Sequence, residues 1–200
     1  MEGVRIRPAT EADHAQIARI CLLTGATGKD ATGMFSNDTT LADVYATPYL
    51  HGPGGFALVW DVDGEARGYV LGTSDTRAFQ EWFNDEWWPS RRDAHPPRTD
   101  GDGWLIPEAE NPRRTLIEAV DAYPAHLHID LLPDQQGQGA GRALIEECIR
   151  LLEVRGVPGS HLVAEKANAG AQAFYPRVGF EPIAIDETTV TFGLTLGVGR

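Results

Sequence analysis

The chain has 200 residues, 42% of them hydrophobic, and a formal net charge of −12. That length suits one domain and can bury about 70% of its unfolded surface, so no metal or disulfide staple is needed. The acidic balance argues against a nucleic-acid partner, whose phosphates it would repel; it either draws a cationic substrate such as an amine or merely keeps the chain soluble. Cys21 and Cys148 fall on apolar faces of predicted helices and read as core residues in a reduced, cytoplasmic setting. No basic-plus-apolar leader and no apolar run of about 18 residues is present, so neither export nor a membrane partner is expected.

Val4-Arg5-Ile6-Arg7 alternates as a short strand that Pro8 stops. Thr10 with Asp13 reads as a helix cap, and Ile17, Ile20, Cys21 and Leu23 give the next helix its apolar face until Gly25 and Gly28 end it. Residues 24–54 are rich in Gly, Thr, Asp and Pro, with a helix expected over 41–49. An apolar strand at 56–60, the Asp63-Gly64 turn signal and a returning strand at 66–73 predict a hairpin. Residues 75–124 form an insertion that carries Trp82, Trp87, Trp88 and Trp104 among several prolines. Helices are expected there over 79–88 and 112–120. Its aromatics argue against disorder; they either pack the insertion onto the sheet or wall a substrate.

From 126 to 132 the chain alternates, with Leu127, Ile129 and Leu131 on one face and His126, His128 and Asp130 on the other. Pro133-Asp134-Gln135 leads into Gln136-Gly137-Gln138-Gly139-Ala140-Gly141. A helix follows over 142–152 with a buried stripe at Leu144, Ile145, Cys148, Ile149 and Leu152. Three glycines at a helix start would weaken it unless bare backbone is needed. A phosphate is such a need, because first-turn N–H groups and the helix dipole make an anion site. The dipole contributes only about 0.3–1 kcal/mol, so several donors must act together, with Arg142 as a mobile cation. A dinucleotide fingerprint would need an acidic residue about 20 positions on, where Lys166 and Asn168 stand, and no Gly-Lys-Ser/Thr marks a P-loop. A plain glycine-rich turn is the alternative. A strand at 160–165, a short helix over 169–178 closed by Gly179, and an antiparallel pair at 180–185 and 188–196 complete the chain.

Gln136-x-x-Gly139-x-Gly141 after a strand resembles the acyl-CoA loop of the GNAT N-acetyltransferase superfamily. Asn168, Ala171, Phe174-Tyr175 and Gly179-Phe180 are similar to its second block. The resemblance implies an α/β fold: a GNAT domain over residues 1–200, with a mixed, mostly antiparallel sheet of six or seven strands, splayed fourth and fifth strands, and helices on both faces. The insertion at 75–124 would lie between the third and fourth strands. It implies acetyl-CoA as co-substrate and no metal. The backbone of Leu131 and Leu132 would pair with the pantetheine amides, and Gln136, Gly137, Gln138, Gly139, Ala140, Gly141 and Arg142 would hold the pyrophosphate. Asn168 and Phe174 would flank the pantetheine arm, and Tyr175 would protonate the departing sulfur. Strand 68–73, the Trp-bearing insertion and Asp130 also look like the acetyltransferase-like C-terminal domain of O-GlcNAcases.

The activity so implied is transfer of acetyl to an amine, small molecule or peptide lysine, by direct attack in a ternary complex. The family's usual glutamate position falls near Ala125, which cannot act as a base. Asp130 and His128 are the candidates, with His126 and Glu165 behind them; imidazole is the easier base near pH 7. Two rival readings stay open: an acetyl-CoA-binding pseudoenzyme or sensor, and a protein-interaction module without turnover. The C-terminal hairpin could support a homodimer.

Overall fold

A computed structural model describes residues 3–197. Its seven strands are β1 (Val4–Pro8), β2 (Gly55–Val62), β3 (Glu65–Thr73), β4 (Ala125–Leu131), β5 (Gly159–Glu165), β6 (Glu181–Ile185) and β7 (Thr189–Thr195). They form one sheet in the order β1-β2-β3-β4-β5-β7-β6, antiparallel throughout except for β4 beside β5. This is the α/β sheet that the sequence predicts. The β2–β3 turn has φ 52° at Asp63 and φ 93° at Gly64. Two left-handed residues in succession match the twist of a tight hairpin.

Helices cover both faces. On one lie α1 (His14–Thr24), α2 (Thr40–Tyr45) and the insertion, whose core includes Ile17, Tyr69, Leu71 and Phe79. On the other, α5 (Ala140–Val154) sets Leu144, Ile145, Cys148 and Leu152 against Leu127 and Phe192. Burying each such aliphatic side chain contributes about 1.5–3 kcal/mol. Both cysteines are buried and free.

The insertion departs from expectation at two places. Helix α3 (Thr76–Trp82) runs on into a π-helical turn at Phe83–Trp87, close to the predicted 79–88. Residues 112–120, expected as a helix, form turns instead. Their backbone groups find tertiary partners: Thr115 N–H donates to Gln80 Oε1 (3.0 Å), and the Pro112 carbonyl accepts from Asn84 Nδ2 (3.1 Å). A helix α4 (Asp100–Glu110) forms where Gly101, Gly103 and Pro107 discouraged one. Thr99 and the wholly buried Asp102 cap each other, and the Asp102 carboxylate also takes Ser36 N–H, tying the insertion to the segment before α2. Trp87 and Trp88 pack inside, whereas Trp104 is 48% exposed. The last helix, α6 (Ala169–Phe174), passes into a 3-10 turn at Tyr175–Val178 that ends at Gly179 with φ 96°.

Candidate active site

Strands β4 and β5 pair only at Ala125↔Ser160 and His126↔His161. Beyond that point β4 keeps to β3 as far as Leu131, while β5 keeps to β7 as far as Glu165. The two therefore diverge, and a cavity of about 450 Å³ fills the wedge. His128, Asp130, Asn168 and Tyr175 line it together with Tyr45, Trp104, Glu108 and Arg114.

The glycine loop follows the end of β4 that has parted from β5. Gly137 has φ 72° and Gly139 φ 87°, and a Cβ at either would meet open space. Conformation rather than crowding therefore calls for glycine there. Gly139 caps α5 with no side-chain bond of its own, and its carbonyl takes the Ala143 N–H at 3.0 Å. The amides of Ala140, Gly141 and Arg142 precede that bond and have no acceptor inside the helix. Gln136 Nε2 donates to the Leu131 carbonyl (2.9 Å) and Gln138 Nε2 to that of Asp134 (2.8 Å), so these two side chains shape the turn. Arg142 lies across the Arg177 carbonyl (2.9 Å).

One expected ligand contact needs correction. Leu132 is buried and its N–H already donates to the Arg67 carbonyl (3.0 Å), so it is closed to a ligand. By strand alternation the main-chain groups of Ile129 and Leu131 are the ones that face the wedge. Phe174, which like residues 136–142 is not among the cavity's lining, packs against the loop, its ring 3.2 Å from where a Gly141 Cβ would stand. Asn168 uses Oδ1 to cap α6 at Ala171 N–H (3.0 Å), which leaves its amide NH2 free of that bond.

Tyr175 packs on Phe180 and Phe192, with ring centroids 5.9 and 5.4 Å away. Burial, followed by the nearby Asp130 charge, pushes its phenol above the ordinary value, so it stays protonated. Asp130 accepts the Tyr69 O–H at 2.7 Å, and burial raises its pKa.

The histidines are joined by a chain of hydrogen bonds whose direction can be worked out. Thr76 Oγ1 lies 2.7 Å from the Pro124 carbonyl, which can only accept, so the threonine proton is committed there. His126 Nδ1, 2.8 Å from the same oxygen, must then be the donor, and His126 Nε2 the acceptor. Tyr49 O–H, 2.8 Å away, gives its one proton to that Nε2, so it accepts from His128 Nε2–H at 2.9 Å. His128 is thereby held as the Nε2–H tautomer, with a bare Nδ1 lone pair and no protein partner for it among the described residues. His126, with both nitrogens engaged, cannot serve as a base. Burial, and secondarily the Arg114 charge, holds His128 down to about 3, so the ring is neutral at pH 7.

Glu165 sits exposed at the rim and accepts from Thr27 Oγ1 (3.0 Å). Lys166 is tied to the carbonyls of Asp186 and Glu187. Arg91 stacks 3.1 Å over Trp87, and Arg113 is exposed. Arg114 lines the cavity. The site residues not foreseen are Tyr45, Tyr49, Tyr69, Thr76 and Arg114; they belong to no motif, and only folding brings them to β4. Among the described residues no helix is long and apolar enough to cross a membrane, and no His/Cys/Asp/Glu group is arranged to hold a metal.

A mixed sheet wedged open between two parallel strands, with a bare-backbone helix start following the first of them, defines an α/β class of fold. The chain belongs to the acetyltransferase (GNAT) family, which it matches over residues 28–180. Mycothiol acetyltransferase of Beutenbergia cavernae is 34% identical over 87 residues, which are 43% of this chain and 27% of that protein. The chain thus spans about a quarter of the length of that curated relative. The crystal structure of SsHAT superposes with a TM-score of 0.89 at 38% identity, over 96% of this chain and 98% of that one. The acetyltransferase yncA of Salmonella typhimurium, solved with acetyl-CoA, shares the fold at a TM-score of 0.57 and 17% identity, over 98% of this chain and 95% of that one.

Proposed function

We propose that the chain is an acyl-CoA-dependent N-acetyltransferase that moves acetyl from acetyl-CoA to an amine by direct attack in a ternary complex. Within the family we read it as nearest the acetyltransferase-like C-terminal domain of O-GlcNAcases, acting in the cytoplasm. Bound acetyl-CoA supplies the thioester; the remaining work falls to this chain. The amides at residues 139–142 and the Arg142 side chain would hold the diphosphate, with main-chain groups of Ile129 and Leu131 and the Asn168 amide along the pantetheine arm. Holding both reactants in line is worth about 7–11 kcal/mol in favourable cases.

The neutral amine attacks the thioester carbon, a carbon–nitrogen bond forms and the carbon–sulfur bond breaks. His128 Nδ1 takes the nitrogen's proton after the new bond forms, when that proton is most acidic; a ring this weakly basic is unsuited to stripping an ammonium beforehand. Tyr175 donates its hydroxyl proton toward the sulfur, which departs as thiol. Asp130 holds Tyr69 and sets the field around Tyr175.

The observation that carries this reading is the hydrogen-bond chain that leaves His128 with an open lone pair in the same wedge as Tyr175. The test is calorimetry with acetyl-CoA together with thiol release over a panel of amines. Binding and turnover in the wild type, with turnover lost in His128→Gln, are expected. Acetyl-CoA binding with no turnover on any amine would favour the pseudoenzyme instead.

A further inference from the structure

The cavity contains a cation that no acidic side chain among the described residues neutralises. Arg114 lines the cavity, with its guanidinium carbon 4.4 Å from the centroid of Phe83 and 5.3 Å from that of Tyr45. Its Nε and Nη2 are buried and have no hydrogen-bond partner among the described residues. Glu108, Glu165 and Asp130 also line the cavity, yet none pairs with it. Leaving two buried donors of a half-buried guanidinium without an acceptor is costly.

The residue is also held in place from outside the cavity. Thr115, next to it, gives both N–H (3.0 Å) and O–H (2.6 Å) to Gln80 Oε1, and its carbonyl lies 3.3 Å from His161 Nε2. His161 Nδ1 meets the Tyr123 carbonyl at 2.8 Å, which pins the far end of the same segment. The turn that replaces the expected helix thus presents Arg114 to the cavity from a fixed backbone.

We infer that the acceptor amine also carries a carboxylate, and that Arg114 reads it. The Nε and Nη2 hydrogens form one edge of the guanidinium, the edge that meets two carboxylate oxygens side by side. The guanidinium carbon lies over the Tyr45 and Phe83 rings and the Nε/Nη2 edge is buried, so that edge turns onto the cavity as the acceptor enters, a rotamer change common at binding sites. An amino-acid-like acceptor is neutral overall, so the −12 net charge does not repel it as it would a plain anion. A polyamine, which that charge alone would favour, would meet the guanidinium head-on.

This rests on the acetyl-transfer reading and names its substrate class. The test is calorimetry on the CoA-saturated protein with N-acetyl derivatives of the common amino acids, each as free acid and as primary amide. These are product analogues and report binding without turnover. For at least one side chain the free acid is expected to bind about ten- to a hundredfold more tightly than its amide, the range of a charge-assisted pair. Arg114→Met should abolish that preference and Arg114→Lys should keep part of it, with thermal unfolding checking that both variants fold. Acids and amides that bind alike, or fail to bind while CoA binds, would overturn the inference and leave acetyl transfer standing. Failure of CoA itself to bind would overturn both.

Discussion

The glycine turn at residues 137–139 and the histidine cluster around Tyr49 flank the same strand, β4, and are built in opposite ways. The turn offers backbone: exposed amides, two left-handed glycines, and side chains that serve only to hold the loop. The cluster offers buried side chains from three separate segments, Tyr49, Thr76 and the β4 histidines, linked through single protons. A backbone site tolerates variation in its neighbours but not a change in φ. A proton chain tolerates backbone variation but not the loss of one donor.

The largest test breaks the turn alone. Gly139→Glu forces a side chain into φ 87°, at a cost of about 1–2 kcal/mol, and sets a carboxylate where the diphosphate is held. Calorimetry should show acetyl-CoA affinity falling about a hundredfold or more as several charge-assisted bonds are lost together. His128→Gln attacks the other region: kcat should fall about 10²–10⁴-fold with acetyl-CoA affinity unchanged. An unaltered kcat would move the base elsewhere, to Asp130 first. Tyr175→Phe removes one hydrogen bond to a developing charge, about 1.5–3 kcal/mol, and should lower kcat about ten- to a hundredfold.

Tyr49→Phe sharpens the comparison, because this residue touches no reacting atom. It should lower kcat by about tenfold or less and release the His128 tautomer, so that ¹⁵N shifts report an Nε2–H ring in the wild type and a mixture in the variant. A single unchanged tautomer would break the hydrogen-bond argument. The smallest effect is on stability. Burial depresses the pKa of His126, His128 and His161, the second from 6.5 to about 3. The unfolded chain therefore binds protons on these rings below pH 6.5 while the folded chain resists. Stability should be full above that pH and fall as the pH drops toward 3, with a shallower fall in His128→Gln. Asp130, raised by burial, works in the opposite direction, so the difference between the two proteins is the informative curve.

Much of this was legible in the residues themselves. Alternation over β4 put His126, His128 and Asp130 on one face, and Gly137 and Gly139 marked the turn because their conformation is a local property. The helix at Asp100–Glu110 was not legible, since Gly101, Gly103 and Pro107 oppose it; a buried capping carboxylate at Asp102 and contact with Met34 override propensity. The reverse error at 112–120 has the same origin, because Gln80 and Asn84 supply the hydrogen bonds a helix would otherwise make. Leu132 was assigned to a ligand by position in a motif, but whether an amide is open depends on its neighbour across the sheet.

Resemblance to the family linked Asn168 and Tyr175 to the glycine loop; by itself the sequence determined the run of strands along the chain and the bare-amide helix start. Each follows from spacing along the chain or from what a glycine backbone can do. Tertiary structure alone decided which histidine keeps a free lone pair, which arginine faces the cavity and how far β4 and β5 stay together. Those outcomes depend on partners 50 or more residues away in the chain, such as Thr76 for His126 and Tyr49 for His128, and on burial that no single segment possesses.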